Sequence, residues 1–260
     1  MLTPMAIRTV IIITTTRAST VSDPGRRTTE RDAKLRRAQS QALLQVWFSP
    51  AFPVGAFAYS HGLEAAVDHG WVKNRATLEP WLADLVAHGA LQNDLILLAA
   101  AWRSVETSDI AQLREIADLG AALQPSAERH LEATQQGRSF LDAIMAAWPP
   151  EVPLPRDLNE REITYPVAVG IAAQRHDIPL AEVLRAYAVG FLSNLTSAAI
   201  RLSIIGQTDA QLILATLMPA LIAAAERAEA ASPDDIGSAT LRSDLASMLH
   251  ETQYSRLFRS

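Results

Sequence analysis

The chain has 260 residues and a formal net charge of −5, with 49% hydrophobic and 20% charged residues. This acidic balance argues against general nucleic-acid binding, and the length favours one large domain or two small ones. Because the sequence contains no cysteine, disulfides, thiolate metal ligands and cysteine nucleophiles are excluded. A cysteine-free chain also fits a reducing compartment.

Residues 1–37 are predicted to form a basic, disordered tail. This segment carries eight Arg or Lys residues against three acidic ones, and its helical periodicity is weak. Its apolar run, Val10 to Ile13, is too short for the core of a secretory signal. No stretch of the chain reaches the roughly 18 unbroken apolar residues that span a bilayer. We therefore expect no membrane contact.

Residues 38–260 are predicted to form a single all-α domain, a helical bundle of about eight to ten helices. Their apolar residues recur at helical spacing, and strand-like alternation is nearly absent. The expected helices are 39–47, 60–69, 77–104, 109–122, 126–148, 164–176, 179–205, 208–229 and 238–250. Thr77 is expected to cap the long third helix, and Thr208 with Gln211 resembles a capping box. The proline-rich stretch 149–155 is interpreted as a crossover within one bundle.

The sequence offers little support for an enzyme or a metal site. None of its six histidines lies four residues from another, so the usual zinc spacing is missing. No glycine-rich phosphate loop or nucleophile elbow is present. A Ser-His-Asp triad stays open, because its members can be distant in the chain. We favour a protein without catalytic or metal-ligating residues, with an enzyme site inside the bundle as the alternative.

The segment from Trp47 to Leu63 contains no Asp, Glu, Lys or Arg. It is too apolar for a solvated connector, so it either folds under the core or forms a contact surface. We expect Phe52 and Phe57 to lie in the core and Gly55 to adopt a positive φ in a tight turn.

Three charged residues stand near or within apolar segments. Glu64 and Asp68 lie one helical turn apart, either because the helix N-terminus favours negative charge or because they face a basic partner. Arg201 is the only charged residue between Ala186 and Thr208, on a helical stripe of small and polar residues. A core arginine bound to local carbonyls and an interface arginine are both open interpretations.

The C-terminal tail combines aromatic, apolar and basic residues: Tyr254, Arg256, Leu257, Phe258 and Arg259. Chain ends are usually small and polar, whereas aromatics and arginines anchor protein contacts. We therefore predict that the tail orders on a partner. The alternative is that it folds back onto its own helices.

Four segments together resemble one family. They are FPVGAFAYSHGLEAAV (52–67), YPVAVGIAA (165–173), SAAIRLSIIGQTDAQ (197–211) and HETQYSRLFRS (250–260). In this order they resemble the urease accessory protein family UreF. Ala56 departs from the pattern, since the family more often has a second glycine there. Residues 1–37 have no counterpart in the resemblance.

The resemblance implies an all-helical, non-enzymatic, cytoplasmic chaperone. It would act with UreD/UreH and the GTPase UreG to insert nickel into apo-urease (UreA/UreB/UreC). The chain itself would bind no cofactor, and nickel and GTP would be used by the wider complex. The family's tail lodges on UreD/UreH, and its homodimer receives UreG.

From this resemblance we hypothesise that Glu64 and Arg201 lie on the surface that meets UreG. The alternative within the non-catalytic class is a helical regulator of a GTPase that has no urease client.

Overall fold

The computed structural model describes residues 24–152, 158 and 161–260. The backbone divides into two compact units, Met1–Arg36 and Arg37–Ser260. The described residues form ten α-helices and two short 3-10 helices, without a strand. The α-helices are α1 (Pro24–Trp47), α2 (Leu63–Asp68), α3 (Arg75–His88), α4 (Ala90–Glu106), α5 (Ile110–Ala122), α6 (Ala127–Ala147), α7 (Tyr165–Arg175), α8 (Leu180–Arg201), α9 (Gln207–Ala230) and α10 (Leu241–His250). The 3-10 helices are Ala56–Ala58 and Pro233–Asp235. The prediction of an all-α fold is confirmed.

Helix α4 forms the centre of the second unit. It packs against α3, α5, α7, α8 and α9, and the side chains of Leu95, Ile96, Leu97 and Leu98 are all buried. Because these consecutive residues are apolar, the middle of the helix has no polar face to turn towards water. A helix that is apolar on every side is stable only inside a bundle.

Three helical stretches in the described part of the chain are long and apolar enough to cross a membrane, judged by length and composition alone. They are Arg75–Glu106, which joins α3 and α4, together with α8 and α9. Here they pack against one another. The absence of membrane contact stays a prediction.

Several predicted helix boundaries are wrong. The expected helix 77–104 is two helices, because the chain leaves helical geometry at Gly89. Asn74 caps α3 in place of Thr77: the Thr77 N–H donates to Asn74 Oδ1, and the Thr77 hydroxyl accepts from the Asn74 N–H. The expected capping box at Thr208 is not formed, since α9 already begins at Gln207.

The N-terminal segment is partly helical. Helix α1 begins at Pro24, and proline is well suited to the first position of a helix. Residues 24–37 lie in this helix, and residues 1–23 lie outside the described residues, so the disorder expected for 1–37 stays a prediction. The proline-rich stretch 149–155 falls within the second unit, although residues 153–155 also lie outside the described residues.

Candidate functional site

The C-terminal tail lies on its own chain. The Arg259 N–H donates to the Ala58 carbonyl at 2.8 Å, and the Ser60 N–H donates to the Ser260 carbonyl at 2.7 Å. Phe258 is 4% exposed and Ser260 is fully buried. The structure therefore shows the alternative to a partner-bound tail, because the tail is ordered by contacts within this chain.

Glu64, at the start of α2, holds the tail by its carboxylate. Its two oxygens accept the backbone N–H groups of Leu257 at 2.6 Å and Phe258 at 2.9 Å. The Glu64 N–H donates to the Ser60 hydroxyl. Glu64 is only 7% exposed, so it is covered by the tail here, and its place on a partner surface stays a prediction. In this conformation its charge serves the tail.

His250, the last residue of α10, joins Glu64 to a second carboxylate. Its Nε2 lies 3.0 Å from Glu64 Oε2 and its Nδ1 lies 2.5 Å from Glu128 Oε2. The imidazole is fully buried, and each of its two ring nitrogens lies within hydrogen-bond distance of a carboxylate. Arg256 from the tail also donates to Glu128. Two acidic residues are thus matched by one imidazole and one guanidinium.

A neighbouring cluster surrounds Glu132 on α6. The Ser260 hydroxyl donates to Glu132 Oε2 at 2.6 Å, Arg129 forms an ion pair with the same carboxylate, and His61 Nδ1 lies 3.7 Å away. Burial raises the pKa of Glu132, but the charge of Arg129 and hydrogen bonds from His61 and Ser260 together lower it to about 2. Burial and the nearby charge of Arg129 lower the pKa of His61 to about 4. At neutral pH this cluster holds an ionised Glu132 beside a neutral His61.

Arg201 connects the tail with the charge-free segment. Its guanidinium carbon lies 3.8 Å from the centre of the Phe57 ring and 4.3 Å from that of Phe258. Its Nη1 donates to the Phe57 carbonyl and its Nε donates to the Ser197 carbonyl at 3.4 Å. Arg201 is half-buried, which agrees with an arginine bound to local carbonyls and leaves part of it accessible.

The charge-free segment is only partly in the core. Phe52 is buried as predicted, but Phe57 is 70% exposed, so its predicted core position is wrong. Gly55 has a φ of 74°, which confirms the predicted turn. The exposed ring of Phe57 lies over Arg201 because the guanidinium offers a flat cationic face.

The remaining predicted partner-binding residues are exposed. Tyr254, Arg256, Leu257 and Arg259 are exposed in the tail, and Asp68 is exposed at the end of α2. Asp68 does not join the Glu64 cluster in any described ion pair. The structure thus brings Arg201 and Phe258 together beside Glu64, and it binds Arg256 to Glu128. The partner-binding role of the exposed residues stays a prediction.

Helix α10 has a reversed amphipathic pattern. Its buried face consists of small or polar residues, namely Ser243, Ala246, Ser247 and His250, whereas Leu241, Leu245, Met248 and Leu249 are exposed. We call these four apolar residues the α10 stripe. A surface helix normally turns its apolar stripe to the core, and a contiguous exposed apolar patch marks an interaction site. The α10 stripe, followed by exposed Tyr254, is a candidate partner surface.

Sequence reasoning missed most of the residues that bind the tail. Ser60, Glu128, Glu132 and His250 carry no local pattern that marks them, because their partners are more than 100 positions away. Within the described residues, no three His, Asp or Glu side chains are placed to hold a metal ion. The carboxylates of Glu64, Glu128 and Glu132 are matched by arginine, histidine and tail donors instead.

The profile of the family described as UreF matches residues 72–218. The chain belongs to the UreF family. A protein called urease accessory protein UreF from Rhodopseudomonas palustris strain BisB5 is 50% identical over 231 residues, which cover 88% of this chain and 95% of that protein. A protein of the same name from Methylorubrum populi is 51% identical over 218 residues, which cover 84% of this chain and 97% of that protein. A third protein of this name, from Bradyrhizobium diazoefficiens, is 46% identical over 230 residues, which cover 88% of this chain and 95% of that protein. The resemblance to UreF is confirmed.

Proposed function

We propose that this UreF-family protein is a urease accessory protein that acts in the maturation of urease. The observation that carries this conclusion is its close similarity, over most of its length, to proteins called urease accessory protein UreF. The protein works as a non-catalytic scaffold in the cytoplasm and binds no cofactor itself. Its client is apo-urease (UreA/UreB/UreC), and the nickel and GTP are handled by the wider complex.

UreD/UreH is the partner that we assign to the α10 stripe and the neighbouring tail. Four exposed apolar residues of α10 are followed closely by Tyr254 and Leu257, and Leu257 is 64% exposed. Large apolar and aromatic side chains contribute most of the binding energy at protein interfaces. Phe258 and Glu64 act indirectly, since they fix the tail from below. The tail therefore contributes its outer side chains to the interface while its inner ones stay on this chain.

UreG is the partner that we assign to the surface around Arg201, with the protein present as a homodimer. The exposed Phe57 ring and the half-buried Arg201 guanidinium lie in direct contact, and such aromatic and arginine pairs are frequent in binding hot spots. The exposed Asp68 belongs to the same proposal. Arg201→Ala is expected to reduce recovery of UreG and activation of urease without unfolding the protein.

The test of the α10 stripe uses two leucines of equal exposure. Leu245 on α10 is 42% exposed and Leu212 on α9 is 43% exposed. Each leucine is changed to Asp, and each variant is expressed in a strain whose own UreF-family gene is deleted. The strain keeps UreD/UreH, UreG and urease. Leu245→Asp should abolish co-purification of UreD/UreH and lower both urease activity and urease nickel content. Leu212→Asp should leave all three unchanged.

Three outcomes would contradict the proposal. If Leu245→Asp and Leu212→Asp both retain UreD/UreH, the α10 stripe is not its binding surface. If the unmodified chain binds UreG and alters GTP hydrolysis but never changes urease nickel content, the protein is a helical GTPase regulator without a urease client. Turnover of a substrate by the purified chain alone would instead support the enzyme alternative.

A further inference from the structure

A cavity of about 400 Å³ lies between the charge-free segment and helices α4, α6, α7 and α8. Its walls are rich in aromatic side chains, among them Trp47, Phe48, Tyr187 and Phe191. Exposed residues of the segment, including Phe57, also line it, so the cavity is reached from the surface. Its volume falls within the range of roughly 300–1,000 Å³ that small-molecule sites occupy.

One acidic residue in this cavity lacks a cationic partner. Asp94 of α4 accepts a hydrogen bond from the Tyr187 hydroxyl at 2.8 Å. It belongs to none of the ion pairs in the described part of the chain. Asp94 is half-buried, and a carboxylate that is partly removed from water without a cation is costly. Desolvation accordingly raises the pKa of Asp94 to about 6.

The other ionisable groups around the cavity do not neutralise Asp94. Arg129 of α6 is the nearby cation, but it forms an ion pair with Glu132 of the same helix. His61 lines the cavity and is neutral at pH 7, since its pKa is lowered to about 4 by burial and by Arg129. Asp244 of α10 lines a smaller cavity that also contacts Asp94, and it adds no positive charge.

The tyrosines of α7 and α8 complete the set of groups that face Asp94. Burial raises the pKa of both Tyr165 and Tyr187, so both stay neutral. At neutral pH the cavity therefore carries one uncompensated negative charge among aromatic rings. Aromatic faces attract cations, and the attraction grows when the cation is removed from water.

We propose that this cavity binds a small organic monocation, an ammonium or guanidinium group carried on an apolar body. Asp94 supplies the counter-charge, and the Tyr187 hydroxyl holds the Asp94 carboxylate in place. The aromatic walls surround the apolar body. A neutral molecule of the same shape gains the apolar contacts but not the ion pair, and an anion is repelled.

The test uses phenethylammonium chloride as the probe and 2-phenylethanol as its neutral counterpart, with binding to the full chain measured by calorimetry at pH 7.5. Phenethylammonium is expected to bind saturably and at least about tenfold more tightly than the alcohol, the factor that about 1.4 kcal/mol of binding free energy supplies. Asp94→Asn should remove this preference. Asp84→Asn, at an exposed position of α3, is the matched control and should retain it.

Binding to the wild-type chain provides further tests that need no variant. At pH 5 the preference of the wild-type chain for phenethylammonium should shrink, because Asp94 becomes protonated. Equal affinity for the amine and the alcohol, or no saturable binding of either, overturns the proposal. Saturable binding of NiCl₂ that depends on Asp94, without binding of phenethylammonium, also overturns it in favour of a metal site. None of these measurements involves urease, so their failure is separate from failure of the proposed function.

Discussion

Glu64 and Phe258 are 194 positions apart in the chain, yet the Phe258 N–H donates to a Glu64 carboxylate oxygen at 2.9 Å. The other oxygen of the same carboxylate accepts the N–H of Leu257. Hydrogen bonds to an ionised acceptor are roughly twice as strong as neutral ones. One side chain of α2 therefore fixes the backbone of the C-terminal tail, and it does so from a position covered by that tail.

Glu64→Gln should release the tail while the helices stay folded. Glutamine keeps the shape but loses the charge, so the N–H groups of Leu257 and Phe258 lose their ionised acceptor, which costs about 1.5–3 kcal/mol. Hydrogen exchange at these two amides should become at least about tenfold faster. Asp68→Asn, at an exposed position of the same helix, is the control and should leave their protection unchanged. Unaltered protection in Glu64→Gln would show that other contacts hold the tail.

Deletion of Gln253–Ser260 should lower the melting temperature. A tail that orders only on a partner, as predicted from the sequence, would leave the melting temperature nearly unchanged. In the structure Phe258 is 4% exposed, and burial of such a side chain contributes about 1.5–3 kcal/mol. The deletion also removes hydrogen-bond donors from Glu64 and Glu132.

The decrease in melting temperature caused by the tail deletion can be measured by thermal unfolding with circular dichroism. Phe258→Ala should reproduce part of it, whereas Tyr254→Ala should not, because Tyr254 is fully exposed. A truncated chain that melts like the full one would mean that the tail contributes no stability to the bundle.

Gly62→Ala should be much more destabilising than Gly55→Ala. Both glycines have similar positive φ values, 76° and 74°, so alanine costs about 1–2 kcal/mol at either position from backbone strain alone. At Gly62 the added Cβ would lie 2.8 Å from the Ser247 backbone nitrogen of α10, and at Gly55 it would meet nothing within 4 Å. Overpacking typically adds about 1–3 kcal/mol. Urea unfolding of the two variants measures the difference, and equal losses would exclude close packing between α2 and α10 as the cause.

The pH dependence of stability should depend on His61. In the unfolded chain His61 takes up its proton near pH 6.5, but in the folded protein it does so only near pH 4. The unfolded state binds more protons between these values, so this residue lowers the free energy of unfolding as the pH falls through that window. Glu132 also lowers the free energy of unfolding as the pH falls, but between about pH 4.5 and pH 2, since its folded pKa is about 2. Asp94 instead raises the free energy of unfolding as the pH falls, because its pKa is raised from 3.8 to about 6 in the folded protein.

The His61 contribution is isolated by comparing the melting temperatures of wild type and His61→Asn from pH 7.5 to pH 4.5. Asparagine tolerates the positive φ of 60° at this position. The difference in melting temperature, variant minus wild type, should increase as the pH falls below about 6.5. His88→Asn, at an exposed residue of α3, should run parallel to the wild type. Parallel curves for His61→Asn would contradict the assignment.

The sequence by itself determined the all-α class and much of the helix pattern, because both depend on neighbours within a few residues. The starts predicted at 109 and 126 agree with α5 and α6, where Asp109 and Ser126 accept N–H groups of the first turn. Such caps are local hydrogen bonds that a short sequence window contains. The turn at Gly55 could be predicted for the same reason, and the combination of four motifs identified the family.

Only the tertiary structure decided which faces of the helices are covered. The leucines of α10 have the spacing of a stripe that normally faces the core. The bundle nevertheless buries the opposite face, where Ser247 allows the backbone at Gly62 to come close. Glu64 likewise looked like a surface charge. It became a buried acceptor because His250, Leu257 and Phe258 meet it across more than 180 positions. Helical periodicity shows that a helix has two unlike faces, but the close approach of distant segments determines which face is buried.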